Sequence, residues 1–201
     1  MVVSNNNDKT KVHEYVSAIF SAPFIALYIL LRLTIDKTID DLVTFTILSI
    51  GLVIIPLVFP LFIAFRQGYE WDYPIRSTRI VPFSIVTIFY FITLGLTIYF
   101  RCSNEIIFLA LSYSMNGLVS LLISLKYKVS IHLVGIAGPM TYFYLLGYWI
   151  DAFILCLIAF ITAYSRFYLR RHTMPQLVMG VIIGIIFTYI SYLIVYYYNS
   201  V

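Results

Sequence analysis

A cationic stretch near the C-terminal end of the chain holds the residues best suited to chemistry. Between two apolar runs, residues 165–180 contain Arg166, Arg170, Arg171 and His172. Charged groups beside a bilayer core are costly and usually mark a function. Guanidinium groups present planar sets of donors that match phosphate oxygens, and a neutral imidazole nitrogen can act as a nucleophile. The stretch therefore predicts a site that binds an anionic group.

The composition places this site in a membrane. The chain has 201 residues, of which 62% are hydrophobic and 11% charged. Several apolar runs reach the roughly 20 residues that a helix needs to cross a bilayer core. The formal charge of +4 is small and indicates loops that face anionic lipid or substrate, with no nucleic-acid partner. No cleavable signal peptide is expected, because the first apolar segment continues for a full span.

The apolar pattern predicts an all-α, polytopic bundle of about seven spans, with a multi-pass location in the cell membrane. Residues 1–14 are predicted to be a polar N-terminal tail, and residues 15–201 a single transmembrane domain. The predicted spans are 15–33, 42–65, 82–100, 106–125, a fifth that ends near 148, 152–164 and 176–198. Pro56 and Pro60 are expected to bend the second span.

With seven spans, the loops after the second, fourth and sixth spans lie on one side of the membrane together with the N-terminus. These loops contain most of the arginines and two of the three histidines: Arg76, Arg79, Lys126, Lys128, His132, Arg166, Arg170, Arg171 and His172. The spans were placed from hydropathy alone. The convergence of cationic loops on one face is therefore independent support for a common site.

The spacing of residues 165–180 resembles a motif of a known family. Ser165, Arg166, His172 and Gly180 match the third motif of the type-2 phosphatidic acid phosphatase superfamily, which also includes the vanadium haloperoxidases. Gln176 stands where that family has an aspartate beside the catalytic histidine. An amide oxygen can still accept a hydrogen bond from the imidazole, but it supplies no negative charge.

The other two family motifs are matched in part. The second is Pro-Ser-Gly-His, and residues 129–132 keep its serine and histidine as Ser130 and His132. The first is Lys-x6-Arg-Pro. Arg79 takes the arginine position, whereas an aspartate stands in place of the lysine and an isoleucine in place of the proline. Arg76 is the candidate substitute for the lysine. The similarity covers about residues 72–184 and implies a six-helix phosphatase-like core plus an extra N-terminal span.

The resemblance implies an integral-membrane lipid phosphatase. His172 would be the nucleophile that forms a phosphohistidine, Arg166 would bind phosphate oxygens, His132 would be the general acid, and Gln176 would orient His172. The residues expected to contact substrate are Arg76, Arg79, Lys128, Ser130 and Ser165. The substrate would be a lipid phosphate or a polyprenyl (di)phosphate, and the mechanism requires no metal and no cofactor.

Two other functions compete with the enzyme. A non-catalytic protein that binds phospholipid headgroups is favoured by Gln176 and by the altered first motif. A small transporter is less favoured, because no ionisable residue lies in the middle of a predicted span, where coupling sites tend to lie. Arg170 and Arg171 are equally well explained as anchors to lipid headgroups. The spacing of Gly180 and Gly184 favours close internal packing over a dimer interface.

Overall fold

The structure is a computed structural model that describes residues 3–68, 73, 75 and 77–198. That part of the chain contains nine α-helices and no β-strand. They are α1 Val3–Ile19, α2 Ala22–Ile35, α3 Leu42–Leu48, α4 Ile55–Gln67, α5 Ile80–Tyr99, α6 Asn104–Ser124, α7 Ile131–Leu145, α8 Trp149–Tyr168 and α9 Met174–Tyr198. A π-helical segment, Ser49–Ile54, joins α3 to α4, and a 3₁₀ turn, Ser77–Arg79, leads into α5.

Five helical stretches are long and apolar enough to cross a membrane, as judged by length and composition over the described residues. They are residues 42–67, 77–99, 104–124, 149–168 and 174–197. A sixth span results if α1 and α2, which meet at an angle of 48°, are counted together. Helix α7 has 15 residues, fewer than the roughly 20 that a straight span requires. The helical membrane bundle thus agrees with the prediction, and the count of seven spans stays a prediction.

The first predicted span is broken near its middle. Ser21 has an extended backbone and Pro23 occupies the first turn of α2, a position that proline favours because its missing N–H has no helical partner there. Helix α1 begins at Val3, so residues 3–14 of the predicted polar tail are helical. Helix α1 packs against α8, and this contact brings the N-terminal segment to the cationic end of the bundle.

The helix of the second predicted span is irregular next to Pro56. Proline has no N–H to donate to the preceding turn of a helix. The π-helical segment Ser49–Ile54 ends one residue before α4, where Pro56 lies in the first turn. The π-helical segment thus lies directly before the turn that contains Pro56, and residues 42–67 continue as one apolar helical stretch. The expected bending of this span at Pro56 and Pro60 stays a prediction.

Close packing of α7 against α9 sets the geometry of the site. A Cβ atom added at Gly184 would lie 2.8 Å from both the Ala137 Cβ and the backbone nitrogen of Gly138. One added at Gly180 would lie 2.6 Å from the backbone oxygen of Ser130. The two glycines thus let the helix backbones touch, and the predicted internal packing is confirmed. The contact places the start of α7 beside the start of α9.

Candidate active site

Three connections between helices meet at one end of the bundle. The Arg79 guanidinium, at the start of α5, donates from Nη1 to the backbone oxygen of Val129 at 3.4 Å. The backbone N–H of Ser130, just before α7, donates to the backbone oxygen of Gln176 in α9 at 3.3 Å. The connections before α5, α7 and α9 are therefore in direct contact, which agrees with the expected convergence of the cationic loops.

A cavity of about 570 Å³ opens between these connections and extends into the bundle. Arg79, His132, Arg166 and His172 all line it. Most of the remaining wall is apolar and includes Phe24, Leu57, Leu61, Phe83 and Val86. The juxtaposition of two histidines and an arginine that the motifs predict is thus present, whereas the catalytic roles of these residues stay predictions.

The side chain of His172 has a defined tautomer. Its Nδ1 lies 3.2 Å from Gln176 Oε1, and the backbone N–H of Thr173 lies 3.2 Å from the same oxygen. A backbone N–H can only donate, so it fixes which end of the Gln176 amide is the oxygen. Since this oxygen can only accept, His172 must carry its proton on Nδ1. The lone pair of the neutral ring then lies on Nε2.

This arrangement also explains the local start of α9. Thr173 precedes the first helical residue, and Gln176 is the third residue of the helix. A glutamine at that position reaches back to the backbone N–H of the capping residue, as in a capping box. Gln176 therefore does two things at once: it caps α9 and it orients His172.

Burial and neighbouring cations keep His172 neutral. Its side chain is 5% exposed, in the connection between α8 and α9. Burial is the larger cause, and the positive charges of Arg166, Lys128 and Arg79 add to it, so that together they lower the pKa of His172 to about 3. A neutral imidazole is the form that attacks phosphorus. An anionic ligand between these cations would oppose the shift.

Arg166 is buried in the last turn of α8, and its hydrogen-bond partner lies outside the predicted phosphatase-like core of about residues 72–184. Its side chain is 2% exposed. Nη1 donates a hydrogen bond of 2.8 Å to the hydroxyl of Ser17, which is itself 1% exposed. Ser17 belongs to α1, a helix that the family motifs do not cover. Sequence reasoning missed this contact because Ser17 carries no motif of its own.

Arg79 is a buried cation held by main-chain oxygens. It is 3% exposed and donates from Nη2 to the backbone oxygen of Tyr73 at 2.6 Å, in addition to its bond to Val129. The guanidinium carbon lies 5.8 Å from the centre of the Phe83 ring. The predicted partner Arg76, and the aspartate that replaces the family lysine, lie outside the described residues.

Three other residues predicted to contact substrate are not among those that line the cavity. The Ser165 hydroxyl pairs with His13 Nδ1 of α1 at 3.1 Å. Ser130 is fully buried, and its backbone N–H is used by the contact with Gln176. Lys128 is half-buried and contributes positive charge near His172. The structure therefore gives Ser165 a role at the interface of α1 and α8, and direct substrate contacts of these three residues stay predictions.

The inner wall of the cavity carries polar residues that sequence reasoning did not single out. Ser112, Asn116 and Ser120 of α6 line the cavity, together with Tyr113. Their spacing of four residues places the first three on one face of the helix. The sequence signal that could have identified these residues is the four-residue spacing of small polar side chains within an apolar span.

No protein-family model matches this chain, and neither does any curated protein or solved structure. The relation to the type-2 phosphatidic acid phosphatase superfamily is therefore a resemblance of motifs. Within the described part of the chain, no group of three or more His, Cys, Asp or Glu side chains is placed to hold a metal ion.

Proposed function

We propose that this protein is an integral-membrane lipid phosphatase of the cell membrane, which hydrolyses a lipid phosphate or a polyprenyl (di)phosphate through a phosphohistidine intermediate. One observation carries the proposal: a cavity whose cationic end holds His132, His172, Arg79 and Arg166 and whose remaining wall is mostly apolar. An amphiphile fits such a cavity, with its phosphate at the cationic end and its hydrocarbon along the wall.

The first step of the proposed reaction forms the phosphoenzyme. The lone pair of His172 Nε2 attacks phosphorus, a P–N bond forms, and the bond from phosphorus to the lipid oxygen breaks. Protonated His132 gives its proton to the leaving alkoxide, which departs as the lipid alcohol. In the second step, water attacks phosphorus and gives a proton to His132 while the P–N bond breaks. Inorganic phosphate leaves, and both histidines return to their starting forms.

The two buried arginines supply the charge that phosphoryl transfer needs. Negative charge is spread over the non-bridging oxygens in the transition state, and preorganised donors in a dry site stabilise it. Arg166 is held by Ser17, and Arg79 is held by two backbone oxygens. Neither guanidinium needs to be reoriented when substrate binds, because the conformational entropy of both side chains is already lost on folding.

Binding of phospholipid headgroups without catalysis is the second candidate. The specific observation in its favour is Gln176, which stands at 3.2 Å from His172 Nδ1 as a neutral amide. An amide cannot stabilise the imidazolium charge that develops when His172 attacks phosphorus. The same cavity would then hold a phosphate headgroup without cleaving it.

Phosphate release from lipid phosphates by the purified protein in detergent, with and without vanadate, tests the enzyme. His172→Ala should abolish release, and Arg166→Ala should slow it by about 10²–10³-fold, the usual loss for one charge-stabilising donor. His132→Ala should slow formation of the phosphoenzyme, because the leaving alkoxide loses its acid. Labelling with a radioactive lipid phosphate should give an acid-labile phosphoenzyme that is absent from His172→Ala.

Arg170→Ala is the matched control. Arg170 is exposed and lies in the same connection as His172, so its loss should leave the rate close to that of the wild type. Wild-type rates in the His172, Arg166 and His132 variants would overturn the catalytic assignment. Binding of lipid phosphates without release by the wild type would favour the headgroup-binding candidate.

A further inference from the structure

Three buried polar groups of α6 line the inner part of the cavity and have no partner in the protein. Within the described residues, the Tyr113 hydroxyl, Asn116 Oδ1 and Ser120 Oγ lack a hydrogen-bond partner. All three side chains line the cavity, and they are 7%, 8% and 3% exposed. An unpaired polar group in a protein interior is costly, so each one calls for an explanation. Together these three residues, the polar wall of the cavity, indicate a small polar ligand.

Two other serines of α6 satisfy their hydroxyls locally. The hydroxyls of Ser112 and Ser114 donate to the backbone oxygens four residues earlier, at 2.7 and 2.8 Å. Serine within a helix often forms this local bond. The Ser120 hydroxyl lies on the same helix and does not form it. It is therefore available to a ligand inside the cavity.

The hydrogen-bonding types of the polar wall restrict that ligand. Asn116 Nδ2 donates to Thr188 Oγ1 of α9 at 2.9 Å, which leaves Oδ1 to the cavity. An amide oxygen can only accept, whereas the hydroxyls of Tyr113 and Ser120 can both donate and accept. A ligand that satisfies the whole wall must therefore be able to donate hydrogen bonds.

The polar wall forms a series that leads inward from the level of His132. A Cβ added at Gly138 would lie 3.0 Å from Asn116 Nδ2, so these two residues share a level. Gly138 lies six residues after His132 in α7, which places that level about 9 Å deeper. Helix α6 leads back towards the start of α7, so Ser120 lies only about 3 Å below His132 and Tyr113 about 14 Å below it.

Water has the size and the hydrogen-bonding capacity to occupy this series. One water with a hydrogen bond on either side spans about 5–6 Å, close to the rise of about 6 Å between helical residues four apart. The cavity volume of about 570 Å³ is many times the roughly 30 Å³ that one water occupies in the liquid. Buried waters normally pair with polar groups that have no partner in the protein.

The apolar lining of the cavity belongs to other helices. Phe24 of α2, Leu57 and Leu61 of α4 and Phe83 of α5 line it, whereas the polar wall belongs to α6. The hydrocarbon of a lipid and a series of waters can therefore share the cavity on different walls. A cavity lined only by apolar side chains stays dry, so the residues of α6 decide whether water reaches its interior.

The second step of the proposed reaction needs water on the inner side of the phosphoryl group. In an in-line displacement, the nucleophile attacks from one side and the lipid oxygen leaves from the opposite side. Hydrolysis reverses this direction, so water attacks phosphorus from the position that the lipid oxygen has left. The hydrocarbon carried by that oxygen lies in the cavity, so this position faces the cavity interior.

We infer that the polar wall of α6 binds water and delivers it to the phosphohistidine, with Ser120 and Asn116 as water-positioning residues. The inference rests on the proposed lipid phosphatase. In this step the water oxygen forms a bond to phosphorus, the P–N bond to His172 breaks, and one proton of the water passes to His132. The levels of the residues place Ser120 nearest to the reacting phosphorus.

Reactivity of an introduced thiol tests whether the wall is hydrated. Ser120→Cys and Ser114→Cys are made in a chain whose Cys102 and Cys156 are replaced by alanine, and are treated with the small anionic reagent sulfonatoethyl methanethiosulfonate. Ser114 is the matched control, because it is fully buried on the same helix and does not line the cavity. A thiol reacts as its thiolate, which needs water, so Ser120→Cys should react at least about tenfold faster. Both variants should react equally after denaturation.

Decay of the phosphoenzyme tests the delivery of water. The protein is labelled with a radioactive lipid phosphate, excess unlabelled lipid is added, and the loss of label is followed by rapid quenching. Ser120→Ala should slow the decay about tenfold, the effect of one hydrogen bond inside a protein. It should leave the rate of phosphoenzyme formation unchanged, because that step uses no water. Ser120→Thr keeps a hydroxyl and should restore the decay, Asn116→Leu should slow it as Ser120→Ala does, and Ser114→Ala should change neither rate.

Equal thiol reactivity of Ser120→Cys and Ser114→Cys in the folded protein would overturn the inference. So would an unchanged decay in Ser120→Ala, or equal slowing of formation and decay. These results are distinguishable from failure of the proposed enzyme. Phosphate release by a wild type whose wall is unreactive leaves the enzyme standing and rejects the delivery of water. Absence of any phosphoenzyme in the wild type rejects both the enzyme and the delivery step, while the thiol reaction still decides whether the wall is hydrated.

Discussion

The hydroxyl of Ser17 accepts a hydrogen bond of 2.8 Å from Arg166 Nη1, and the two residues lie 149 positions apart in the chain. Both side chains are almost fully buried. The bond connects the N-terminal helix α1 to the last turn of α8. The guanidinium that is predicted to bind phosphate is therefore positioned by a helix that contributes no residue to the three motifs.

Ser17→Ala should lower kcat by about tenfold and change KM less, because a displaced Arg166 stabilises the transition state less well. Ser17→Thr keeps a hydroxyl and should restore most of the rate. Ser191→Ala is a matched control, since Ser191 is a buried serine whose hydroxyl donates to a backbone oxygen of its own helix. Steady-state kinetics on each folded variant give the measurement. A purely structural role would lower the melting temperature and leave kcat per folded molecule unchanged.

Gln176 should limit the rate through its missing charge. Gln176→Asp and Gln176→Glu should preserve or raise phosphate release, because a carboxylate stabilises the His172 imidazolium while still accepting the hydrogen bond from its Nδ1–H group. Glutamate is the closer match in length and also suits the capping position at the start of α9. Gln176→Leu should slow release, since both hydrogen bonds to the amide oxygen are lost. Faster release by the leucine variant than by the wild type would contradict this role.

The stability of the protein should depend on pH through His172. Its pKa in the folded state is about 3, below the ordinary value of 6.5, so the unfolded chain takes up the proton first. Above about pH 6.5 the ring is neutral in both the folded and the unfolded state, so pH has little effect on the free energy of unfolding through this residue. As pH falls from 6.5 towards 3, the unfolded chain takes up the proton and the folded protein does not, so the folded state becomes progressively less stable. Between pH 7.5 and 5 this loss is on the order of 2 kcal/mol.

The measurement for this prediction is thermal unfolding of the purified protein at the two pH values. His172→Gln carries no titrating group at this position and should lose less stability than the wild type over the same range. Identical losses in the two proteins would show that the His172 ring does not titrate as the burial and the neighbouring cations require.

The close contact of α7 and α9 should make Gly184 sensitive to enlargement. Gly184→Ala places a Cβ 2.8 Å from backbone and side-chain atoms of α7, and overpacking of this kind costs about 1–3 kcal/mol. Gly95→Ala is the control, because an added Cβ there meets no atom within 4 Å and alanine is the better helix former. Thermal unfolding should show a clear loss for the first variant and none for the second. Equal melting temperatures would contradict the packing of these helices.

The topology that follows from seven spans can be tested by labelling. The N-terminus should share a side with the three connections that form the site, and the C-terminus should lie on the other side. Cysteines introduced as Asn5→Cys or Ser200→Cys, in a chain whose Cys102 and Cys156 are replaced by alanine, report their side through an impermeant thiol reagent. Labelling of both positions from the same side would contradict the seven-span arrangement.

The sequence by itself determined the features that depend on local spacing and on average polarity. Apolar runs predict helices long enough for a membrane, because a bilayer core demands about 20 apolar residues per span. The sequence separation of four residues predicts that the side chains of His172 and Gln176 lie close together, and they are in contact at the start of α9. His172 itself precedes the helix, so the contact accompanies the capping of α9 by Gln176. The small residues Gly180 and Gly184 predict close internal packing for the same reason of periodicity.

The tertiary structure alone decided which distant groups meet. Ser165 faces His13, Arg166 faces Ser17, and Asn116 faces Thr188. No local pattern encodes these pairs, because each depends on how two helices far apart in sequence pack and on the rotation of each about its axis. The break before Ala22 divides the span predicted over residues 15–33. Packing of α1 against α8 then brings Ser17 to Arg166.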